Sequence, residues 1–220
     1  VAFISNKPLG RAAEYAEKLR RLGIPADDED VITSPVALRL YLAGASFGRR
    51  VLLLGEAPVR EELERGGFTL VEDPAQAETV VVSWDRSVTY ARLDAALQAI
   101  LAGAHFVATH PDVTCPLAGG RVALDAGGFI ALMEAASGRR VEAVAGKPSP
   151  LMLQVLVERW SLSPHQCLLT GDRLETDLAL GRAAGTAVAM VLSGVTTRER
   201  LAHWPVQPDY VLESVADLIP

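Results

Sequence analysis

The chain has 220 residues, half of them apolar, with a net charge of −6; that is enough for one domain, or for a core with a second lobe. The acidic balance excludes a non-specific grip on nucleic acid, which needs a basic stripe. No apolar run reaches eighteen residues, so no membrane span is expected, and no basic segment followed by an apolar stretch opens the sequence as a secretion signal would. Cys115 and Cys167 are far apart and form no CxxC pair; they read as free thiols of a cytoplasmic protein. The four histidines (His105, His110, His165 and His203) lack metal-ligand spacing and read as structural or solvent-facing.

Short apolar runs alternate with helical periodicity, the pattern of βαβ units and a parallel sheet. Val1 to Ile4 is expected to form a strand ending at Ser5-Asn6. Ala12, Ala13, Ala16, Leu19 and Leu22 recur at helical spacing, with Gly23 at the C-terminus. Val51 to Leu54 is a buried strand, followed by a charged helix that stops at Gly66-Gly67. Val80 to Val82 is a third strand. Tyr90, Leu93, Leu97, Ile100 and Leu101 mark an amphipathic helix ending at Gly103, and His105 to Ala108 is the next strand. Val141 to Ala145 is a strand running into Gly146-Lys147-Pro148, with a helix from Pro150 to Trp160 behind it. Cys167 to Thr170 is a strand that leads to Gly171-Asp172. Glu175 to Ala184 is helical, Gly185 ends it, and Thr186 to Leu192 is a strand. Tyr210 to Leu212 and a short helix close the chain. There is no repeat and no long linker, so a second lobe must be an insertion.

In open parallel sheets ligands bind beyond the carboxyl ends of the strands. Three of the expected strand ends carry chemistry: Ser5-Asn6, Lys147, and Asp172 with Asp177. A serine hydroxyl and backbone amides bind phosphate oxygens, a lysine neutralises them as a point charge, and a carboxylate holds a hard cation. Each has a plainer reading: turn residues for Ser5-Asn6, an exposed loop lysine, and helix-capping aspartates. Gly146-Lys147 is not a nucleotide-binding P-loop, because Val141 and Pro148 break that motif.

The strings FISNKPLG, GKPSP and GDRLETD resemble the second, third and fourth motifs of the haloacid dehalogenase superfamily. YAEKLRRLGI, VITSPVALRLYLA, GAHFVATHPDVTCP, VLSGVTTRERL and PDYVLESVADL extend the resemblance to the branch of 4-nitrophenyl phosphatases, phosphoglycolate phosphatases and bacterial sugar-phosphate and nucleotide phosphatases. The resemblance implies an α/β fold: a Rossmann-like parallel-sheet core of residues 1–45 and 145–220, with an α/β cap of residues 46–144 inserted as a substrate-selecting lid. It implies magnesium-dependent hydrolysis of a small phosphorylated metabolite through an aspartyl-phosphate. Ser5 binds the phosphate, with the amides of Asn6 and Lys7 alongside. Lys147 stabilises charge, Asp172 ligates Mg2+, and Asp177 supports the metal site from behind. Arg173 is expected to pair with a nearby carboxylate. Asp85, Arg86 and His110 in the cap are candidates for specificity, with a structural role the alternative for each. Pairing of two copies through the cap is the expected assembly.

One departure stands out. The family's first motif, Asp-x-Asp-Gly after an apolar strand, supplies the nucleophile and the general acid/base. Asp28 and Asp30 have the spacing but sit in the polar run ADDED. Asp85 follows an apolar strand, yet Ser87 replaces the second aspartate. The motif, with the first core strand, is expected upstream of Val1, and the chain alone is expected to be inactive. A catalytically inert fragment or degenerate relative that only binds phosphate is the second reading. A nucleotide-binding Rossmann module is disfavoured, since no GxGxxG follows a strand.

Overall fold

A computed structural model describes residues 1–218, and they fall into two compact units that divide between Gly146 and Lys147. The first unit opens with β1 (Phe3–Ser5), α1 (Ala12–Arg21) and β2 (Val31–Thr33). The two strands are parallel, with Phe3 opposite Val31 and Ser5 opposite Thr33, so α1 is the crossover of a βαβ unit. Ala16, Ala26 and Val31 make a small core there with Phe3, Ala12, Tyr15 and Leu19. The strand starts two residues later and ends one residue later than the expected Val1 to Ile4, which leaves Ser5 as its last residue.

After α2 (Ser34–Gly44) come β3 (Arg50–Leu54), α3 (Ala57–Arg65), β4 (Thr69–Leu70), β5 (Thr79–Val82), α4 (Tyr90–Leu101) and β6 (His105–Ala108). An antiparallel hairpin, β7 (Thr114–Pro116) with β8 (Val122–Leu124), precedes α5 (Ala126–Ser137) and β9 (Ala143–Val144). Five of these strands form one sheet in the order β4-β3-β5-β6-β9, parallel throughout. Parallel sheets are covered on both faces and their strands read as unbroken apolar runs, which is why these strands stood out in the sequence. Val80, Val82, Phe106 and Ala108 pack with Ala96, Ala99 and Ile100 of α4 and with Phe129, Ile130 and Met133 of α5. The register sets Leu54, Val82, Ala108 and Val144 side by side, so Gly55, Ser83, Thr109 and Ala145 share one sheet edge. β9 is shorter than the expected Val141 to Ala145. The amide of Val141 donates to Glu134 Oε1 at 3.0 Å and is taken out of the ladder.

The second unit contains α6 (Leu151–Arg159), β10 (Leu168–Gly171), α7 (Ala179–Ala184), β11 (Ala187–Val191), α8 (Arg198–Ala202) and β12 (Tyr210–Leu212). Its three strands are parallel in the order β10-β11-β12. Leu174, Leu178, Val188, Met190 and Leu201 form its core, with Leu192 and Trp204 against them. The helix expected from Glu175 begins instead as a wide π-type turn, Leu174–Leu178, before α7. The amides of Asp177 and Leu178 both donate to the carbonyl of Arg173, at 2.9 and 3.2 Å. Such bulges recur at functional sites, and this one turns Asp177 inward.

Candidate active site

The second unit brings Lys147, Asp172 and Asp177 together. Asp177 is buried. Its Oδ1 accepts from Lys147 Nζ at 2.7 Å, and its Oδ2 accepts from the amides of Asp172 and Arg173 at 3.2 and 3.1 Å. These charge-assisted bonds fix the carboxylate and, through it, the ammonium. Gly171 is required beside it, because a Cβ at that position would run into the Asp177 side chain. The support for Lys147 is thus direct. Among the described residues the Arg173 side chain makes no ion pair. Its contribution comes from the backbone, its amide donating to Asp177 Oδ2 and its carbonyl accepting from the amides of Asp177 and Leu178, not from the side-chain pairing the sequence suggested.

Asp172 follows β10 and is held from the loop after β11. Its Oδ2 accepts from the amide of Val195 at 2.8 Å, its carbonyl accepts from the amide of Thr196 at 3.1 Å, and Gly194 leaves room for its side chain. Thr196 Oγ1 is buried with no hydrogen-bond partner among the described residues. Asp172 is a hard oxygen donor suited to magnesium, but one carboxylate is not a magnesium site. Among the described residues no group of three His, Cys, Asp or Glu side chains is placed to hold a metal.

In the first unit Ser5, Asn6 and Lys7 form the turn after β1. The Lys7 amide donates to Ser5 Oγ at 3.2 Å, and Tyr15 Oη donates to the Lys7 carbonyl at 3.3 Å. Burial, followed by the nearby Glu14 and Cys115, raises the Tyr15 phenol above its ordinary value and keeps it a donor. Asn6 is buried; its carbonyl accepts from Ser34 Oγ at 2.6 Å, and its Nδ2 donates to Asp112 Oδ2 at 3.1 Å.

The three cap candidates are each committed to internal bonds. Asp85 is buried, with Oδ2 accepting from Arg92 at 2.6 Å and Oδ1 from the amide and hydroxyl of Ser87, both at 2.9 Å. Arg86 grips Glu56 through two bonds of 2.7 Å, and this side-chain bonding holds the Glu56 carboxyl below the usual range. His110 is buried between Thr109 Oγ1 at 2.8 Å and Asp125 Oδ1 at 2.8 Å. These contacts weigh toward the structural alternative. Sequence reasoning missed Asp112, Ser34 and Asp125. Only the fold shows that a histidine, two aspartates and the β1 turn are neighbours.

Comparison with known proteins bears on the family and the fold. The family model described as haloacid dehalogenase-like hydrolase matches residues 1–69, and the HAD-hydrolase-like model matches residues 144–218. Sugar-phosphatase AraL of Bacillus subtilis is 33% identical over 99% of this chain and 79% of that protein. The chain belongs to the haloacid dehalogenase-like hydrolases. Two solved members of the family superpose closely. The 4-nitrophenylphosphatase of Thermotoga maritima has a TM-score of 0.91 at 34% identity, covering 99% of this chain and 82% of that one. The p-nitrophenyl phosphatase of Archaeoglobus fulgidus has a TM-score of 0.92 at 30% identity, covering 99% and 84%. The haloacid dehalogenase fold of these phosphatases, with its parallel-sheet core and cap, is therefore the fold of this chain. No helix among the described residues is long and apolar enough to cross a membrane.

Proposed function

We propose that the protein hydrolyses phosphate monoesters of a small metabolite. The observation that carries the proposal is the bond of 2.7 Å between Lys147 and the buried Asp177. A carboxylate anchored by two backbone amides aims the lysine without letting it wander, which is how a preorganised charge stabilises a phosphoryl group in transfer. Ser5 Oγ and the amides of Asn6 and Lys7 bind phosphate oxygens in this reading. Asp172 contributes one ligand to Mg2+, whose charge would neutralise the phosphate; the other ligands lie outside the described residues. Asp85, Arg86 and His110 shape the cap as supports of its sheet edge.

The division into a core of residues 1–45 and 145–220 and a cap of 46–144 belongs to the same proposal. It is supported by the five-stranded sheet, all of whose strands come from Arg50 to Val144. The nucleophile is assigned to an Asp-x-Asp-Gly segment upstream of Val1. In support, β1 pairs only with β2 among the described residues, leaving an edge that another strand can fill. A cytoplasmic setting rests on the two unbridged cysteines, Cys115 and Cys167. Turnover of 4-nitrophenyl phosphate by protein extended upstream to include that segment tests the reading. Lys147→Ala should lower kcat by about a hundredfold, the scale of one lost preorganised contact. Unchanged kcat in that variant would refute the role of Lys147.

A further inference from the structure

The Asn6–Asp112 bond joins two segments separated by 106 positions. Asn6 lies in the turn expected to bind phosphate; Asp112 lies in the loop that leaves the cap sheet after β6. Around them the packing is close. The Gly146 amide donates to the Thr109 carbonyl at 2.7 Å. A Cβ on Gly146 would lie 2.6 Å from Asn6 Oδ1, 2.7 Å from the Thr109 carbonyl and 2.8 Å from His110 Cβ.

The Asp112 loop is itself pinned. The Asp112 carbonyl accepts from the Gly127 amide at 2.8 Å, and the Val113 carbonyl accepts from the Asp125 amide at 2.9 Å. Gly127 has no space for a side chain against the Pro111 carbonyl. His110, bonded to Asp125 on one side and to Thr109 on the other, is buried inside this turn, and Thr109 continues to Ser83 at 2.9 Å. The loop is therefore a rigid arm of the five-stranded sheet, and its outermost carboxylate reaches Asn6. Asn6 is fixed from two directions, at its carbonyl by Ser34 and at its side chain by Asp112.

We propose that Asp112 is a positioning residue for phosphate binding: held by the buried His110–Asp125 pair, it clamps Asn6 and so fixes the Ser5-Asn6-Lys7 turn in the conformation that receives the anion. The inference rests on the phosphate-binding role assigned to that turn. A floppy turn pays the ordering entropy when the anion arrives, whereas a clamped one has already lost it. Asp112 acts by accepting a hydrogen bond and not by its charge, which sits beside an anion site and is there in spite of its sign. The amide of asparagine offers the same acceptor without the charge.

The experiment titrates orthophosphate into wild type, Asp112→Ala, Asp112→Asn, Asn6→Ala and the Asn6→Ala/Asp112→Ala double variant, with calorimetry as the readout. Amide NMR spectra of the same proteins report on the turn. Asp112→Ala should weaken phosphate binding about five- to tenfold, the scale of one hydrogen bond. Asp112→Asn should restore it to within about twofold, and the double variant should bind no worse than Asn6→Ala, as for two residues in one contact. In the spectra, Asp112→Ala should shift the Asn6 and Lys7 amides and Asp112→Asn should leave them. Binding by Asp112→Ala equal to wild type overturns the proposal, and so does multiplication of the two single effects in the double variant. If wild type binds no phosphate, the function assigned to the turn fails, and the spectra then decide the clamp. Asn6 and Lys7 amides that move in Asp112→Ala and return in Asp112→Asn support it, and amides that stay in place overturn it.

Discussion

Replacing Asp177 by alanine removes the acceptor of three donors at once, and its cost follows from their setting. The bond to Lys147 is short, 2.7 Å, and the side chains are 16% and 5% exposed for Lys147 and Asp177. Breaking a buried pair by removing one partner costs about 3–5 kcal/mol; the partial exposure of Lys147 places this pair at the low end. The amides of Asp172 and Arg173 also lose their acceptor, and they are only partly buried, so about 1 kcal/mol is added for both. A loss of about 4 kcal/mol is expected, a large fraction of the 5–15 kcal/mol typical of a folded domain. Asp177→Asn keeps the shape and one acceptor oxygen, and should lose about half as much. Urea unfolding followed by tryptophan fluorescence measures both, since Trp160 and Trp204 lie in the same unit as the pair. The midpoint should fall with an unchanged denaturant slope. Asp177→Ala within about 1 kcal/mol of wild type would refute the reasoning, because a surface ion pair is worth that little.

Gly146→Ala should destabilise the first unit by about 1–3 kcal/mol through overpacking, since two of the three atoms its Cβ would meet, the Thr109 carbonyl and His110 Cβ, belong to the rigid loop; thermal unfolding measures it, and an unchanged Tm would contradict the packing described. The Glu56 carboxyl, held low by its side-chain bond with Arg86, should contribute stability above the ordinary carboxylate range. That contribution should disappear as the pH falls through the lower folded value. Urea midpoints taken across acidic pH should therefore decline less steeply in Glu56→Gln than in wild type.

The sheet in the first unit was legible because its strands are buried on both faces and carry runs such as VLLL and TVVV, bounded by glycine or polar residues. The same burial concealed α2, whose sequence SPVALRLYLAG is apolar nearly all round and shows no polar stripe to give it a period. The β7–β8 hairpin was hidden by strands of three residues. The chemistry at the strand ends was readable from residue type: Ser5 ends β1, and Lys147 and Asp172 follow sheet strands. What the sequence withheld is how these groups are held. The π-type turn that aims Asp177 depends on two amides sharing the Arg173 carbonyl, which no helical periodicity announces. Asp85 and His110 were candidates for contact with a ligand through the family resemblance, which places them in the cap. Their burial, and the partners Arg92 and Asp125, became visible only when distant segments were brought together.

The most direct test of the account is turnover of 4-nitrophenyl phosphate with magnesium by three proteins: residues 1–220, the chain extended upstream through the Asp-x-Asp-Gly segment proposed before Val1, and that extended chain with the first aspartate of the segment changed to asparagine. The account predicts activity in the extended chain alone, because general acid/base catalysis is worth about a hundred- to ten-thousand-fold and the proposed nucleophile belongs to the same segment. Equal activity in residues 1–220 and in the extended chain would contradict it, since that result requires a nucleophile among residues to which no such role has been assigned.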